Sequence, residues 1–298
     1  MMVIAWLGFL AYTLLVSADK HDKEGDAMIY LNHFNYISNT RSGNHDGKTA
    51  IKNFQRFAGL KVTGDLDEPT VRQMKKPRCG DPDVDDKGKR RRRYLLASKW
   101  RKNALTYHLS YGKDLPNFVQ DRVFEKALQF WADVSKLSFS RTRYVWNADL
   151  KISFGSVTHR GPGESHCAYP FDGRGKVLAH AFYPPNGRCH FDDDETYTDG
   201  ISDGINLLWV ATHEFGHALG LEHSNVRGAV MFPYYHSYQP NLKLHDDDIN
   251  GIRALYGALG EPTCVDDSNY ARFCLGWKAD CSDHTFVRRY CRKTCGLC

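Results

Sequence analysis

The sequence is short of three things: a second apolar run after its first residues, any Asn-x-Ser/Thr sequon, and net charge outside one basic stretch. Val3 to Val16 is too short to cross a bilayer comfortably, and no basic cluster flanks it. Val16-Ser17-Ala18 then offers small residues for cleavage before Asp19, so residues 1–18 read as a secretory signal, and no transmembrane segment is expected in the mature chain. Without sequons, N-glycosylation is not expected. Of the formal charge of +5, Lys89 to Arg93 alone supplies five positives. The remainder is near neutral, which argues against a nucleic acid or other polyanion as partner.

Cysteine is plentiful. Of nine, six lie between Cys264 and Cys298, and the others are Cys79, Cys167 and Cys189. Such density in a short terminal stretch reads as a disulfide framework made in an oxidising compartment, which agrees with secretion to the extracellular space or matrix. The stretch is too small to bury a stable core and needs staples.

The centre of the chain is His213-Glu214-Phe215-Gly216-His217-Ala218-Leu219-Gly220-Leu221-Glu222-His223. On a helix His213 and His217 stand one turn apart on the same face, where both rings reach one ion. Gly220 lets the helix stop with positive φ, so that His223 approaches the same ion from a loop. Three neutral nitrogens leave a tetrahedral Zn2+ with one open position, the mark of a catalytic rather than a structural centre. Glu214 cannot join as a third ligand in that geometry and is the candidate general base. Met231, in a following turn, can pack beneath the imidazoles.

Before this centre, apolar residues at helical spacing over 27–37 and 49–57, and a capped turn near Asp67 and Pro69, predict a small helical domain. Leu105 to Ser110 and Leu150 to Phe154 read as strands, and Val119 to Leu137 as a helix between them. Helices over Ile205 to Leu221 and Asp247 to Tyr256 complete the expectation of an α/β fold.

Three motifs together resemble the secreted matrix metalloproteinases, a branch of the metzincins. They are the eleven-residue histidine stretch, the methionine turn, and Pro77-Arg78-Cys79-Gly80-Asp81-Pro82-Asp83, which matches the family's Pro-Arg-Cys-Gly-x-Pro-Asp segment. The resemblance implies an α+β metzincin catalytic domain with a mixed twisted sheet and three helices, preceded by a small helical prodomain and followed by a small disulfide-rich module. It implies a zinc endopeptidase acting on protein substrates of the extracellular matrix or cell surface, made latent by Cys79 on the catalytic zinc. A thiolate there fills the open position and excludes water. The boundaries expected are a propeptide to Arg93, a catalytic domain over 94–257, a linker over 258–263 and a terminal module over 264–298. A furin-type convertase would cut after Arg93 and free Tyr94, whose ammonium would pair with Asp247. Tissue-inhibitor-type proteins are further possible partners.

The same resemblance places structural zinc on His180 and His190. It places Ca2+ on Asp172, Asp192 and Glu195, with backbone oxygens of Gly173, Gly175 and Val177, a hard-oxygen set that suits that ion. The family's His-x-Asp before Pro170 is missing, and His166-Cys167-Ala168-Tyr169 stands there instead. His166 is read as a ligand from a shifted register. Cys167 either binds zinc or pairs with Cys189, and the even number of cysteines left after propeptide removal favours the Cys167–Cys189 disulfide. Substrate would lie along Leu178 and Ala179 as an added strand. The pocket for the side chain after the scissile bond would lie between the zinc helix and Pro233, Tyr234 and Tyr235, with Trp209 one turn before His213 making it shallow. The last module resembles the ShK toxin-like domain, which implies the pairs Cys264–Cys298, Cys274–Cys291 and Cys281–Cys295. No lysine lies within Ser282 to Tyr290, so potassium-channel block is not expected.

Overall fold

The computed structural model describes residues 23–37, 46–84, 99–161, 166–259, 266–267, 269–282 and 284–297. The signal, Arg93, Tyr94 and the Cys264–Cys298 pair lie outside the described residues.

Helices α1 (23–33), α2 (Gly47–Phe57) and α3 (Glu68–Met74) form the N-terminal unit. Asp46 caps α2 by accepting from the Lys48 and Thr49 amides, and Asp67 caps α3 by accepting from Thr70, with proline in the first turn. Leu31, Phe34, Tyr36, Phe54, Phe57 and Met74 make its core. That core is completed by Phe171, Val177, Phe232 and Tyr234, which come from the protease domain. The small unit therefore shares its apolar interior with the domain it covers, and loses part of it when separated.

A six-stranded sheet runs in the order β1 (Arg78–Cys79), β5 (Val177–Ala181), β6 (Arg188–Asp192), β4 (Leu150–Gly155), β2 (Ala104–Leu109), β3 (Ser138–Arg141). Only β5 and β6 pair antiparallel, so the sheet is mixed. Strand β3 carries no apolar alternation in its sequence, Phe139 being its one apolar residue. Helices α4 (Asn117–Ala132) and α5 (Leu207–Ala218) pack on the sheet through Phe124, Leu128, Trp131, Val210 and Phe215. The last carbonyls of α5 are taken up by side chains: Trp100 Nε1 donates to Ala218 and the Tyr256 hydroxyl to Leu219. Helix α6 (Asp246–Tyr256) is the third of the domain and begins with a capping box of His245 and Asp248.

In the terminal module α7 (Ala271–Cys274) and α8 (Thr285–Tyr290) are stapled by Cys274–Cys291 and Cys281–Cys295, the pairs expected. Among the described residues its buried interior is Cys274, Val287 and Cys291, so the bridges carry what a core cannot. Among the described residues no helix is long and apolar enough to cross a membrane.

The structure overturns the Cys167–Cys189 disulfide. Both are free thiols, and both are buried. The cause is strand alternation: His190 points towards Cys167, so its neighbour Cys189 points to the other side of β6, into the core shared with α5.

Candidate active site

Helix α5 carries His213, Glu214 and His217 wholly into the interior, and Gly220, at φ 103°, turns the chain so that His223 joins them. The Nδ1 of His213 donates to the Val230 carbonyl at 2.6 Å and that of His217 to the Leu221 carbonyl at 2.7 Å. Each bond fixes the tautomer that leaves Nε2 bare. The two Nε2 atoms then stand 3.2 Å apart, lone pair towards lone pair. Burial and the neighbouring His223 hold His213 well below the usual imidazole range, hence neutral. Converging bare nitrogens of this kind fit a divalent cation and little else. Beneath them Met231 packs its sulfur on Gly216, where an added Cβ would come within 2.2 Å of it. The turn holding Met231 is fixed by Asp248, a buried carboxylate that accepts from the amides of Val230 at 2.8 Å, Met231 at 3.0 Å and His245 at 2.9 Å.

The fourth donor comes from the N-terminal unit. Cys79 Sγ lies with the ligand atoms of His213, His217 and His223, all within 4.8 Å of one another. Strand β1 brings it there by adding to β5 in parallel, with Gly80 N donating to Ala179 O at 2.8 Å. On its other side Cys79 N donates to Pro233 O at 2.9 Å and Tyr235 N to Pro77 O at 3.0 Å. The segment is thus clamped between Leu178–Ala179 and the 233–235 wall, along the edge where substrate was expected. Gly80 is needed for the approach, since a Cβ there would stand 2.7 Å from Val177.

Arg78 and Asp83 close the loop as a bidentate ion pair of 2.6 and 3.0 Å, both fully buried, with the guanidinium 3.5 Å over the Phe34 ring. Burial would raise the Asp83 carboxyl, but Arg78 and His223 outweigh it and hold it at about 2. Asp83 also meets His223 Nδ1 at 2.9 Å, which leaves the other nitrogen of that ring for the cluster. Burial, then Glu214 and Asp81, push the Cys79 thiol well above its usual range, so a cation among these donors is what would hold it as thiolate.

Residues 99–257 match the family model described as Matrixin, residues 26–74 one described as a putative peptidoglycan binding domain, and residues 263–298 one described as ShK domain-like. The chain belongs to the matrixin family. It is 44% identical over 241 residues to human matrilysin, covering 78% of this chain and 84% of that protein. It is 48% identical over 216 residues to the hatching enzyme of Paracentrotus lividus, and 38% over 258 residues to human matrix metalloproteinase-19. Those matches cover 70% and 85% of this chain but only 34% and 49% of the relatives. Against them the chain spans about a third to a half of the relative's length.

Matrixins use zinc and calcium, and this member has a second buried cluster able to hold a metal, formed by His159, Cys167, His180 and His190. Its nitrogens and sulfur crowd together: His159 Nε2 to His190 Nδ1 is 3.0 Å, His180 Nε2 to His190 Nδ1 is 3.2 Å, and Cys167 Sγ to His180 Nε2 is 3.4 Å. Burial holds His180 well below the usual imidazole range and His190 at about 3, so both rings are neutral donors. His166 is not among them. It is exposed, while its neighbour Cys167 is buried, and the position expected for it is taken by His159. The backbone bond from Cys167 N to His159 O, 2.7 Å, draws the two ends of that loop together.

Two of the carboxylates expected at calcium, Asp172 and Glu195, hydrogen-bond the glycine-rich turn before β5. Gly175 N donates to Glu195 at 2.5 Å and Val177 N to Asp172 at 3.2 Å, and Gly173 and Gly175 have φ of 78° and 86°. One oxygen of Asp192 is buried without a hydrogen-bond partner. Burial, with the neighbouring carboxylates adding to it, raises Asp192 to about 6 and Glu195 to about 7. Buried carboxylate oxygens beside a turn of this kind suit a hard cation.

Trp209 is buried and stacks on His213 with centroids 5.3 Å apart, its edge against Tyr235 at 5.4 Å. Tyr235 is fixed in turn by accepting from Asn206 N at 2.8 Å. Asp247 is held by the Ser224 hydroxyl at 2.6 Å.

Proposed function

We propose that the chain is the zymogen of a secreted zinc endopeptidase that cleaves matrix or cell-surface proteins. Residues 19–93 form the inhibitory propeptide, 94–257 the protease, 258–263 a linker and 264–298 a targeting module. The observation that carries this reading is the convergence of Cys79 on His213, His217 and His223, in the Pro-Arg-Cys-Gly-x-Pro-Asp segment laid along the β5 edge. Zinc held by the three imidazoles supplies Lewis acidity towards a peptide carbonyl and acidifies water. Glu214, buried between them and pushed well above the usual carboxylate range by burial and then by Asp81, takes the proton from the attacking water and returns it to the leaving amine.

With the propeptide gone, the amide and carbonyl groups of β5 that bind β1 are open to an extended substrate, and Pro233 and Tyr235 bound the other side. Trp209 closes the inner end of the pocket beside His213, which favours Leu, Ile or Met after the scissile bond. A furin-type convertase acting at Lys89–Arg93 removes the propeptide. His159, Cys167, His180 and His190 hold a structural zinc, and Asp172, Asp192 and Glu195 with the Gly173, Gly175 and Val177 backbone hold calcium.

The test is a Glu214→Ala mature enzyme. Its peptidase rate should fall by about 10²–10⁴-fold, the range for loss of a general base, with zinc content unchanged. A variant hydrolysing peptides at the wild-type rate would remove Glu214 from the mechanism.

A further inference from the structure

The one position that the propeptide motif leaves open holds an acid in this chain, Asp81, and its carboxylate reaches the cluster. Asp81 Oδ2 stands 3.6 Å from Cys79 Sγ and 3.7 Å from His217 Nε2, and the ligand atoms of Cys79, Asp81 and Glu214 all lie within 4.8 Å of one another. Around a zinc with bonds of about 2.0–2.3 Å, neighbouring tetrahedral ligand atoms are separated by roughly 3.3–3.6 Å. Oδ2 is therefore at the border of the coordination shell. It is held there by a hydrogen bond from Ala181 N at 3.1 Å, at the end of β5, and the Asp81 amide itself faces Cys79 Sγ at 3.4 Å.

Charge favours the same role. Three neutral imidazoles and one thiolate leave a dication with one uncompensated positive charge, and in a buried site that charge calls for an anion nearby. Asp81 supplies one: it is part-buried, and its Oδ2 accepts from Ala181 N beside the cluster.

We propose that Asp81 is a standby zinc ligand of the zymogen, its Oδ2 taking the fourth position when the Cys79 thiolate leaves. Latency then belongs to residues 79–81 as a unit, and loss of the thiol by itself does not release it. This rests on the reading that His213, His217 and His223 hold zinc and Cys79 completes the set.

The experiment uses full-length zymogens shown by intact mass to retain the propeptide: wild type, Cys79→Ser, Asp81→Asn and the double variant. Asparagine keeps an acceptor for Ala181 N and removes only the charge. Each is assayed on a peptide substrate and, loaded with Co(II), by its absorption spectrum. In the wild type, part of the thiolate-to-metal absorption should disappear on Cys79→Ser. The Cys79→Ser zymogen should be at least about tenfold less active than the double variant, the order by which losing one partner changes a metal site. Its visible Co(II) bands should shift when Asp81→Asn is added. If Cys79→Ser leaves the absorption unchanged, the thiol is not on the metal and the underlying reading fails. If the absorption is lost but the Cys79→Ser zymogen is as active as the double variant, the reading stands and the standby ligand is refuted.

Discussion

Among the described residues two clusters bring three imidazoles and one thiol together, and they differ in where the thiol is anchored. At His159, His180 and His190 the thiol is Cys167, eight residues along the same loop as His159 and inside the protease domain. At His213, His217 and His223 it is Cys79, on a strand belonging to a separate helical unit whose core is only completed on the protease. The donor sets match, so chemistry alone does not distinguish a structural centre from a catalytic one. Tethering does. A thiol that belongs to the domain closes its site permanently, and one carried by a removable segment closes it until the segment is cut away. Glu214 stands beside the second of these sites, next in the chain to its ligand His213.

The sharpest way to break the comparison is to remove the permanent thiol. Cys167→Ser in the mature enzyme should lower zinc from two ions to one per chain, since losing a direct ligand exceeds the roughly 10–100-fold that even outer-shell losses cost. Cys189→Ser, which faces the core, should leave both ions in place. Retention of two zincs by Cys167→Ser under chelator competition would mean that the three histidines suffice.

A smaller effect is expected at the floor of the catalytic centre. Gly216→Ala places a Cβ against the Met231 sulfur, and the overpacking should cost about 1–3 kcal/mol in chemical denaturation, with the second centre still loaded. Full stability in that variant would show that the methionine turn moves freely and does not brace the imidazoles.

The mildest change concerns selectivity. Trp209→Leu should open the pocket beside His213 and improve kcat/KM for long side chains after the scissile bond by about 1–3 kcal/mol relative to leucine, with little change for leucine itself. A peptide series varied at that position reads it directly. Parallel gains for short and long side chains would place the indole's influence elsewhere.

The catalytic centre was legible because its geometry is local. Two histidines one turn apart, a glycine that ends the helix and a third histidine beyond it are written within eleven residues, and Cys79 stood out by its proline-flanked segment. The second centre was only half legible. His180 and His190 sit on paired strands, in register with each other, but His159 reaches them only because a backbone bond to Cys167 closes a loop that carries no periodicity. Counting cysteines misled for a related reason: parity says nothing about which face of β6 a thiol occupies, and alternation puts Cys189 on the wrong one. The available signal was adjacency within β6, where neighbours such as Cys189 and His190 must face opposite sides. Asp248 was hidden in a run of three acids that reads as an ordinary helix start, although it is the buried member that pins the Met231 turn.

The claim that the two thiols differ only in tethering is tested most directly by following the Co(II)-substituted zymogen through removal of residues up to Arg93. Roughly half of the thiolate-to-metal absorption should vanish, that of Cys79, while the half from Cys167 persists and peptidase activity appears in step. Absorption unchanged by cleavage, or lost entirely, would contradict the account.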